Sequence, residues 1–542
     1  MPNGSANTTA SDADHRSGGK SADLRRTIVD VLVAVGLLLT LGAVCVFDKT
    51  MAVVATVPPP VVLPPTEPSA EPEPALEPPA AELPEETLPP IDPERRLRVE
   101  HRADLRFGLC TTTGNPDDPS DDHKRLIYAK DGGTNNTRLW VDGATPLVGG
   151  GAGSLVTAMH EADGGRLEAD WEYRGIRVTQ TIQYVAGDTS RRIDTIRVDY
   201  RLKNTGTAEP EVGLRVMLDS LIGDNDGVPF IVPGREQLVT EPAIFREPEV
   251  PDFIRALERP DLVNPGVVAD LGLRPEPGER PSEVILTNWP GSDAEWDYNR
   301  TRPFGSDTAI GLYYSPRKLL PGGERLISFT YGLGSISSTR TRNASLSLTA
   351  GGPFRSGGKF WLVCLVKNPR AGQEVRLELP SGLELGPNET ATKPVQAGTE
   401  FTQLSWLVKI LPTTLGASKL KALLLPESVS EEQEVNVQPR DPRLVVRIRQ
   451  PVRTGKPFWV SVLVQHSRAG QTLELRLPTG CKFGASHTAR KSVPVKEGYA
   501  QVDWLVESSV QGGSQADLSV VLTPDGLEEK VTVPIQTGSL ID

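Results

Sequence analysis

The C-terminal part of the chain is written twice, and that fact restricts its fold more than any other. Phe360-Trp361 returns as Phe458-Trp459, Arg370-Ala371-Gly372-Gln373 as Arg468-Ala469-Gly470-Gln471, Leu377 to Pro380 as Leu475 to Pro478, and Trp406-Leu407-Val408 as Trp504-Leu505-Val506. The offset is 98 residues at every landmark, 458 less 360 as much as 504 less 406. An insertion between landmarks would shift all those after it, so an unbroken offset means two copies of one folding unit. Within the copies, Phe360 to Val366 and Phe458 to Val464 are apolar almost without interruption, as a central core strand requires, and turn signals recur every ~8 to 12 residues. Each copy therefore predicts a small sandwich of two antiparallel sheets, over 339–439 and 440–542. Trp406 and Trp504 are expected to fill equivalent positions in the two cores.

Residues 95–338 carry a different β pattern. Ile176, Val178, Ile182 and Tyr184 alternate with Arg177, Thr179, Thr181 and Gln183; Ile196, Val198, Tyr200 and Leu202 alternate with Arg197, Asp199, Arg201 and Lys203. Val212, Leu214, Val216 and Leu218 continue the scheme after the turn Asn204-Thr205-Gly206. A period of two with one charged face predicts antiparallel sheet covered on one side and wet on the other. Further strands are expected at Val284 to Trp289, Thr308 to Tyr314 and Leu326 to Leu333, with a proline-rich, irregular stretch from Pro233 to Pro281 that holds at most a short helix, near Asp252 to Arg259. The 48 prolines and 51 glycines, with 5% aromatic residues, suit turn-rich sandwiches.

The "LKNTG" turn at Leu202 to Gly206 and the closing strand introduced by "LPGGE" at Leu320 to Glu324, within this order of long strands, resemble the galactose-mutarotase-like supersandwich fold of many carbohydrate-active proteins. The resemblance implies the fold over residues 95 to 335. In that family histidines and a glutamate open the sugar ring. Here His101, His123 and His160 stand in the contexts VEHRAD, DDHKR and AMHEAD, which do not match, so the resemblance does not carry the activity. The duplicated units are similar to the Ig-like modules of bacterial envelope proteins, without the cysteine pair of antibody domains. The expected fold class is mainly β: a large antiparallel, supersandwich-like β-sandwich, two tandem Ig-like sandwiches, and one N-terminal transmembrane helix.

That helix is expected at 27–47. From Val31 to Phe47 there is no charged side chain, and at about 1.5 Å per residue those positions together with Thr27 to Val29 reach across roughly 30 Å of hydrocarbon, with Asp30 one turn in. Arg25 and Arg26 precede it, whereas Asp48 and a lone Lys49 follow, which keeps the N-terminus cytoplasmic. Two rival readings of the same run are a signal peptide cut before Thr56, after the small-residue spacing of Val53 and Ala55, and a lipoprotein at Cys45. Either would still export the rest. Residues 1–26 read as a disordered cytoplasmic tail. Residues 48–94 read as a stalk, since Thr56 to Glu94 holds 14 prolines among 39 residues, with nine acids and no base. The lipid bilayer is thus an expected partner of residues 27–47, and an envelope polysaccharide or envelope protein an expected partner of the body. The formal charge of −12, with no basic block, argues against nucleic acid. Cys110, Cys364 and Cys481, at unrelated places, are expected to be small buried apolar residues.

No nucleophile elbow, cysteine–histidine metal motif or HExxH helix is present, and Gly149 to Gly153 lacks the lysine of a phosphate loop. The expectation is a non-catalytic binding or scaffolding protein of the cell envelope, the alternative being a carbohydrate-binding or carbohydrate-active protein. Two loops bear chemistry. Asp219, Asp224, Asn225 and Asp226 follow a strand and offer the oxygen density that suits Ca²⁺, although their spacing departs from an EF-hand; a tight turn closed by Gly227 explains the same residues. The acidic run Asp117, Asp118, Asp121, Asp122 and His123 is read as a solvated loop. Trp289, Asp293, Trp296 and Asp297, with Glu295, set tryptophans beside acids as a sugar-binding surface does, and as an ordinary loop tucked onto a sandwich does.

Overall fold

Glu211–Ser220 is the strand around which the N-terminal sandwich is laid out in the structure, a computed structural model that describes residues 92–114, 119–342, 344–449, 451–496 and 498–537. It pairs antiparallel with Thr308–Lys318 on one side and Asn136–Val141 on the other, within a five-stranded sheet whose order continues through Glu283–Asn288 to Ala243–Arg246. An eight-stranded sheet packs against it, with Ile176–Val185, Thr195–Asn204 and Glu324–Leu333 as its long neighbours. Val178, Val198, Leu202, Phe329 and Tyr331 from one sheet and Leu214, Val216, Leu218, Ile310 and Leu312 from the other share one core. The tail, the transmembrane helix and the stalk up to residue 91 lie outside the described residues. Asp92–Arg95, where the stalk was expected to end, pairs with Arg192–Ile193 as a short parallel strand. Among the described residues there is no α-helix, and no helix is long and apolar enough to cross a membrane.

Ile176–Val185 and Thr195–Asn204 alternate buried and accessible residues as their sequence predicts. Glu211–Ser220 does not have the wet face expected of it. From Val212 to Ser220 every residue is buried, because the loop 289–300 lies across the outer face of the strand. Arg215, fully buried, donates to the carbonyls of Ala294 and Glu295 and to the Asn136 side chain. A charged residue at an outward position of a period-two strand signals water by composition, yet it can equally signal a loop whose carbonyls need a donor. The helix expected near Asp252 to Arg259 is also corrected. Phe253–Leu257 is a strand buried at all five positions, with Ile254 and Ala256 in the main core and Phe253 and Leu257 facing the other way. The run is apolar on both faces because both find partners.

The two repeats are sandwiches with separate cores. Trp406 and Trp504 are fully buried, and each indole Nε1 donates at 2.8 Å to the carbonyl of a threonine sixteen residues back, Thr390 and Thr488. The offset of 98 extends to polar detail. Gln373 donates to Glu427 at 2.7 Å and accepts from the Arg370 amide, and Gln471 repeats this with Asp525 and Arg468. Cys110 and Cys364 are buried, whereas Cys481 is half-buried; none is bonded to another.

A fourth, smaller core lies between the large sandwich and the first repeat. Ile231, Phe253, Leu257 and Leu262 meet Val363, Leu365 and Phe401, with Trp361 at the edge. Gln403 seals it: its Nε2 donates to the carbonyls of Val232 at 2.7 Å and Arg235 at 2.9 Å, and its own amide donates to Glu236.

Candidate cation site

Three aspartates from three stretches of chain converge around Thr308. Asp219 and Ser220 end the strand Glu211–Ser220, opposite Ala309 and Thr308. Asp226 is fixed by its own carbonyl, which accepts from the Thr308 amide at 2.9 Å and from the Thr308 hydroxyl at 2.8 Å. Asp307 directly precedes that threonine, and its carbonyl accepts from the Trp289 amide and the Asn288 side chain. One carboxylate oxygen from each lies within 4.8 Å of the other two. The turn leading into the site has its own constraint: Gly223 has φ +62°, and a Cβ there would lie 2.3 Å from the carboxyl carbon of Glu258. Glu258 in turn accepts from the Asp224 and Val267 amides, so the loop is clamped on the side away from the aspartates.

The electrostatics of the trio are unfavourable as they stand. Asp219 is 2% exposed, and its Oδ1, like Oδ1 of Asp226 and the hydroxyl oxygen of Thr134, has no hydrogen-bond partner. Burial pushes the Asp219 carboxyl up to about 7, with the charges of Asp307 and Asp226 adding to the shift. The nearby Thr134 hydroxyl counters it in part while staying outside hydrogen-bond geometry. Asp226 is pushed up to about 6 by burial and by Asp307, and Asp307 is raised by burial against the opposing pull of Arg302. No ion pair from the described residues reaches any of the three. Like charges gathered around one buried carboxylate and two half-buried ones are costly unless something neutralises them.

A hard divalent cation would do so. Two oxygens bound to one Ca²⁺ at about 2.3 to 2.6 Å stand at most about 5 Å apart, whereas the about 2.0 to 2.1 Å bonds of Mg²⁺ require a tighter set. The three oxygens, within 4.8 Å of one another, stand close enough to share one such ion. Asp219, Asp226 and Asp307 would hold it, with the orphaned Thr134 hydroxyl beside them. Next to the trio, and sharing Asp307 with it, is a cavity of about 650 Å³ lined by Asn288, Trp289, Pro290, Arg302 and Gly305.

The residues singled out from sequence divide accordingly. Asp219 and Asp226 are brought together. Asp224 points away into solvent and pairs with Lys124, and Asn225 builds the turn, donating to the Glu258 carbonyl and accepting from the Gly227 amide. Trp289 lines the cavity and donates to the Thr134 carbonyl at 3.3 Å. Trp296 is no open platform: its ring packs edge-on against Trp140 at 5.2 Å and Tyr313 at 5.3 Å. Asp293 is exposed and presents its carbonyl to Arg138, while the exposed Asp297 pairs with Arg300. Asp117 and Asp118 lie outside the described residues. Sequence reasoning missed Asp307, which stands 81 residues beyond Asp226 and carries no local signal beyond its place before a predicted strand.

No family model matches the sequence, and no curated protein matches it. Among solved structures, the chain is similar to an assigned aldose 1-epimerase of Escherichia coli K12, with 11% identity over 44% of this chain and 99% of that one, at a TM-score of 0.26. It is similar to red sea bream transglutaminase with 16% identity over 37% of this chain, at a TM-score of 0.16, and spans 32% of that enzyme. Neither likeness reaches a TM-score that carries an assignment.

Proposed function

We propose that the chain is a cation-dependent, non-catalytic binding protein whose large sandwich takes its ligand in the Trp289 cavity, beside a Ca²⁺ held by Asp219, Asp226 and Asp307. The observation that carries this reading is the Asp219 carboxylate, buried to 2% exposure with an oxygen that nothing in the fold satisfies. A ring face on Trp289, a positive charge on Arg302 and a cation beside Asp307 are the groups that recognise a saccharide bearing hydroxyls or carboxylates. The apolar run 27–47 and the proline-rich stretch after it support presentation of this body outside the cytoplasmic membrane, where an envelope polysaccharide or envelope protein is the ligand to hand.

Raised carboxyl groups also favour a second reading, acid–base chemistry on a glycosidic bond. The same burial argues against it, since a proton donor must touch the leaving oxygen and Asp219 does not reach the surface.

Isothermal titration of the full chain tests the proposal. Ca²⁺ binds, Mg²⁺ binds more weakly, and Asp219→Asn abolishes the heat; Trp289→Ala keeps the Ca²⁺ heat but loses retention on envelope polysaccharide. No Ca²⁺ binding at millimolar concentration, or turnover of a glycoside that survives chelation, would remove the reading.

A further inference from the structure

The duplication makes two sheet faces equivalent, and the fold treats them differently. In the first repeat the outward side chains of Lys359–Lys367 and Phe401–Ile410, namely Trp361, Val363, Leu365, Phe401 and Gln403, are covered by the large sandwich. Ninety-eight residues on stand Trp459, Ser461, Leu463, Tyr499 and Gln501. Trp459 is 43% exposed and Tyr499 50%, with Val445 beside them also exposed. Gln501, the counterpart of the glutamine that seals the first interface, has no turn to bind and donates to the Asp503 carboxylate instead. Trp459 is nevertheless held in place, since the His487 ring packs edge-on against it at 5.7 Å. An aromatic kept on a sheet face and braced there is preorganised for contact.

We propose that this face is closed by the same face of a second copy of the chain, in a two-fold, sheet-on-sheet contact. The surface of this molecule that fits such a face, Ile231, Phe253 and Leu257 with the Val232 to Glu236 turn, is already filled by the chain's own first repeat, so another copy cannot offer it. The face is complementary to itself. Across the sheet the register sets Arg447, Ser461 and Asp503 in one row, Val445, Leu463 and Gln501 in the next, and Arg443, Gln465 and Tyr499 beyond. A two-fold axis along the central strand Pro457–Gln465 lays each basic edge over the other copy's Tyr499 and Asp503 edge. Arg447 then meets Asp503, Arg443 meets the Tyr499 ring, and Trp459 and Leu463 meet their own counterparts. Neither Arg447 nor Asp503 has an ion-pair partner among the described residues. Strands aligned across two packed sheets are an ordinary sandwich arrangement, and an isologous contact closes on itself as a dimer.

Charge reversal at the paired positions, in the full chain, reads this contact directly. Arg447→Asp sets a carboxylate opposite Asp503 of the other copy in both halves of the contact and is expected to weaken the dimer about tenfold or more. Arg447→Asp combined with Asp503→Arg is expected to restore it, because the pair then meets with its signs exchanged. In sedimentation velocity the unmodified chain runs as a dimer, and Trp459→Ala weakens it about tenfold or more while leaving the melting temperature unchanged. A chain that stays monomeric at every concentration overturns the proposal. So does a dimer indifferent to Trp459→Ala, which places the contact elsewhere, or one that Arg447→Asp weakens and the added Asp503→Arg fails to restore.

Discussion

With no cation bound, Asp219 titrates near 7 and Asp226 near 6 in the folded chain, against an ordinary 3.8. Below 3.8 both states carry the protons and the fold keeps its full stability. As pH rises through the folded value, the unfolded chain has already released what the folded one must release at a cost, so stability is lost up to about pH 7, each pH unit being about 1.4 kcal/mol per group at most. In chelator, the melting temperature is therefore expected to fall between about pH 4 and about pH 7, and Asp219→Asn flattens the slope. Saturating Ca²⁺ replaces the protons and removes the decline, while Ca²⁺ affinity weakens as pH drops through the same interval. Thermal melts of the two proteins, with and without Ca²⁺, check the sign. A melting temperature that rises with pH in chelator, unaltered by the substitution, would mean that the trio is not charged against itself.

At the scale of elements, the strand Glu211–Ser220 and the loop 289–300 hold each other. Arg215 supplies donors to two loop carbonyls, and Tyr313 donates to the Trp296 carbonyl at 2.9 Å from the neighbouring strand. Arg215→Leu leaves those acceptors buried without partners and is expected to cost about 3 kcal/mol or more, with proteolysis opening at Arg300. Asp297→Asn, on an exposed ion pair of the same loop, is expected to change stability by less than about 1 kcal/mol. Denaturant titrations compare the two. The strands themselves were legible because period two and turn chemistry are local: Ile176–Val185 and Thr195–Asn204 were marked by alternation, and Glu324–Leu333 by the turn Leu320 to Glu324 that introduces it. What covers a strand is not local. Arg215 reads as a solvent-facing residue until the loop 80 positions later is laid over it, and Phe253–Leu257 reads as a helical turn until both its faces meet partners. The cation site divides along the same line. Asp219 and Asp226 stand seven residues apart, at a strand end and in the turn after it, and could be named together, whereas Asp307 arrives by the pairing of Thr308 with Ser220 and Thr134 beside Asn135, whose side chain accepts from the Asp219 amide at 2.8 Å.

At the scale of the molecule, one repeat has a sheet face covered by the large sandwich, whereas its twin, tied to that sandwich by Arg440 and Glu276 at 2.7 Å, leaves the equivalent face open, and the difference rests on few positions. Val363 sits in the core between the large sandwich and the first repeat, and its counterpart 98 residues later is Ser461, at the centre of an accessible face. Around Val363 the interface also has direct polar ties, with Arg255 donating to the Ala350 carbonyl at 2.7 Å and the Gly234 amide donating to the Ser405 hydroxyl at 3.0 Å. Val363→Asp puts a charge into that core with no partner, so the interface should open before either sandwich loses its own core. Ser461→Asp, the same new side chain on the equivalent strand, meets no part of its own chain and should leave the fold of the second repeat within about 0.5 kcal/mol, its cost falling on the contact between copies. Calorimetry of the two variants distinguishes the roles. Val363→Asp is expected to split off an early transition for the first repeat, because a domain that melts with its neighbour does so only while their shared surface holds. Ser461→Asp should split off no early transition of that kind. If both variants melted alike, the two faces would be energetically equivalent, and the large sandwich would not owe its attachment to the residues in which the repeats differ.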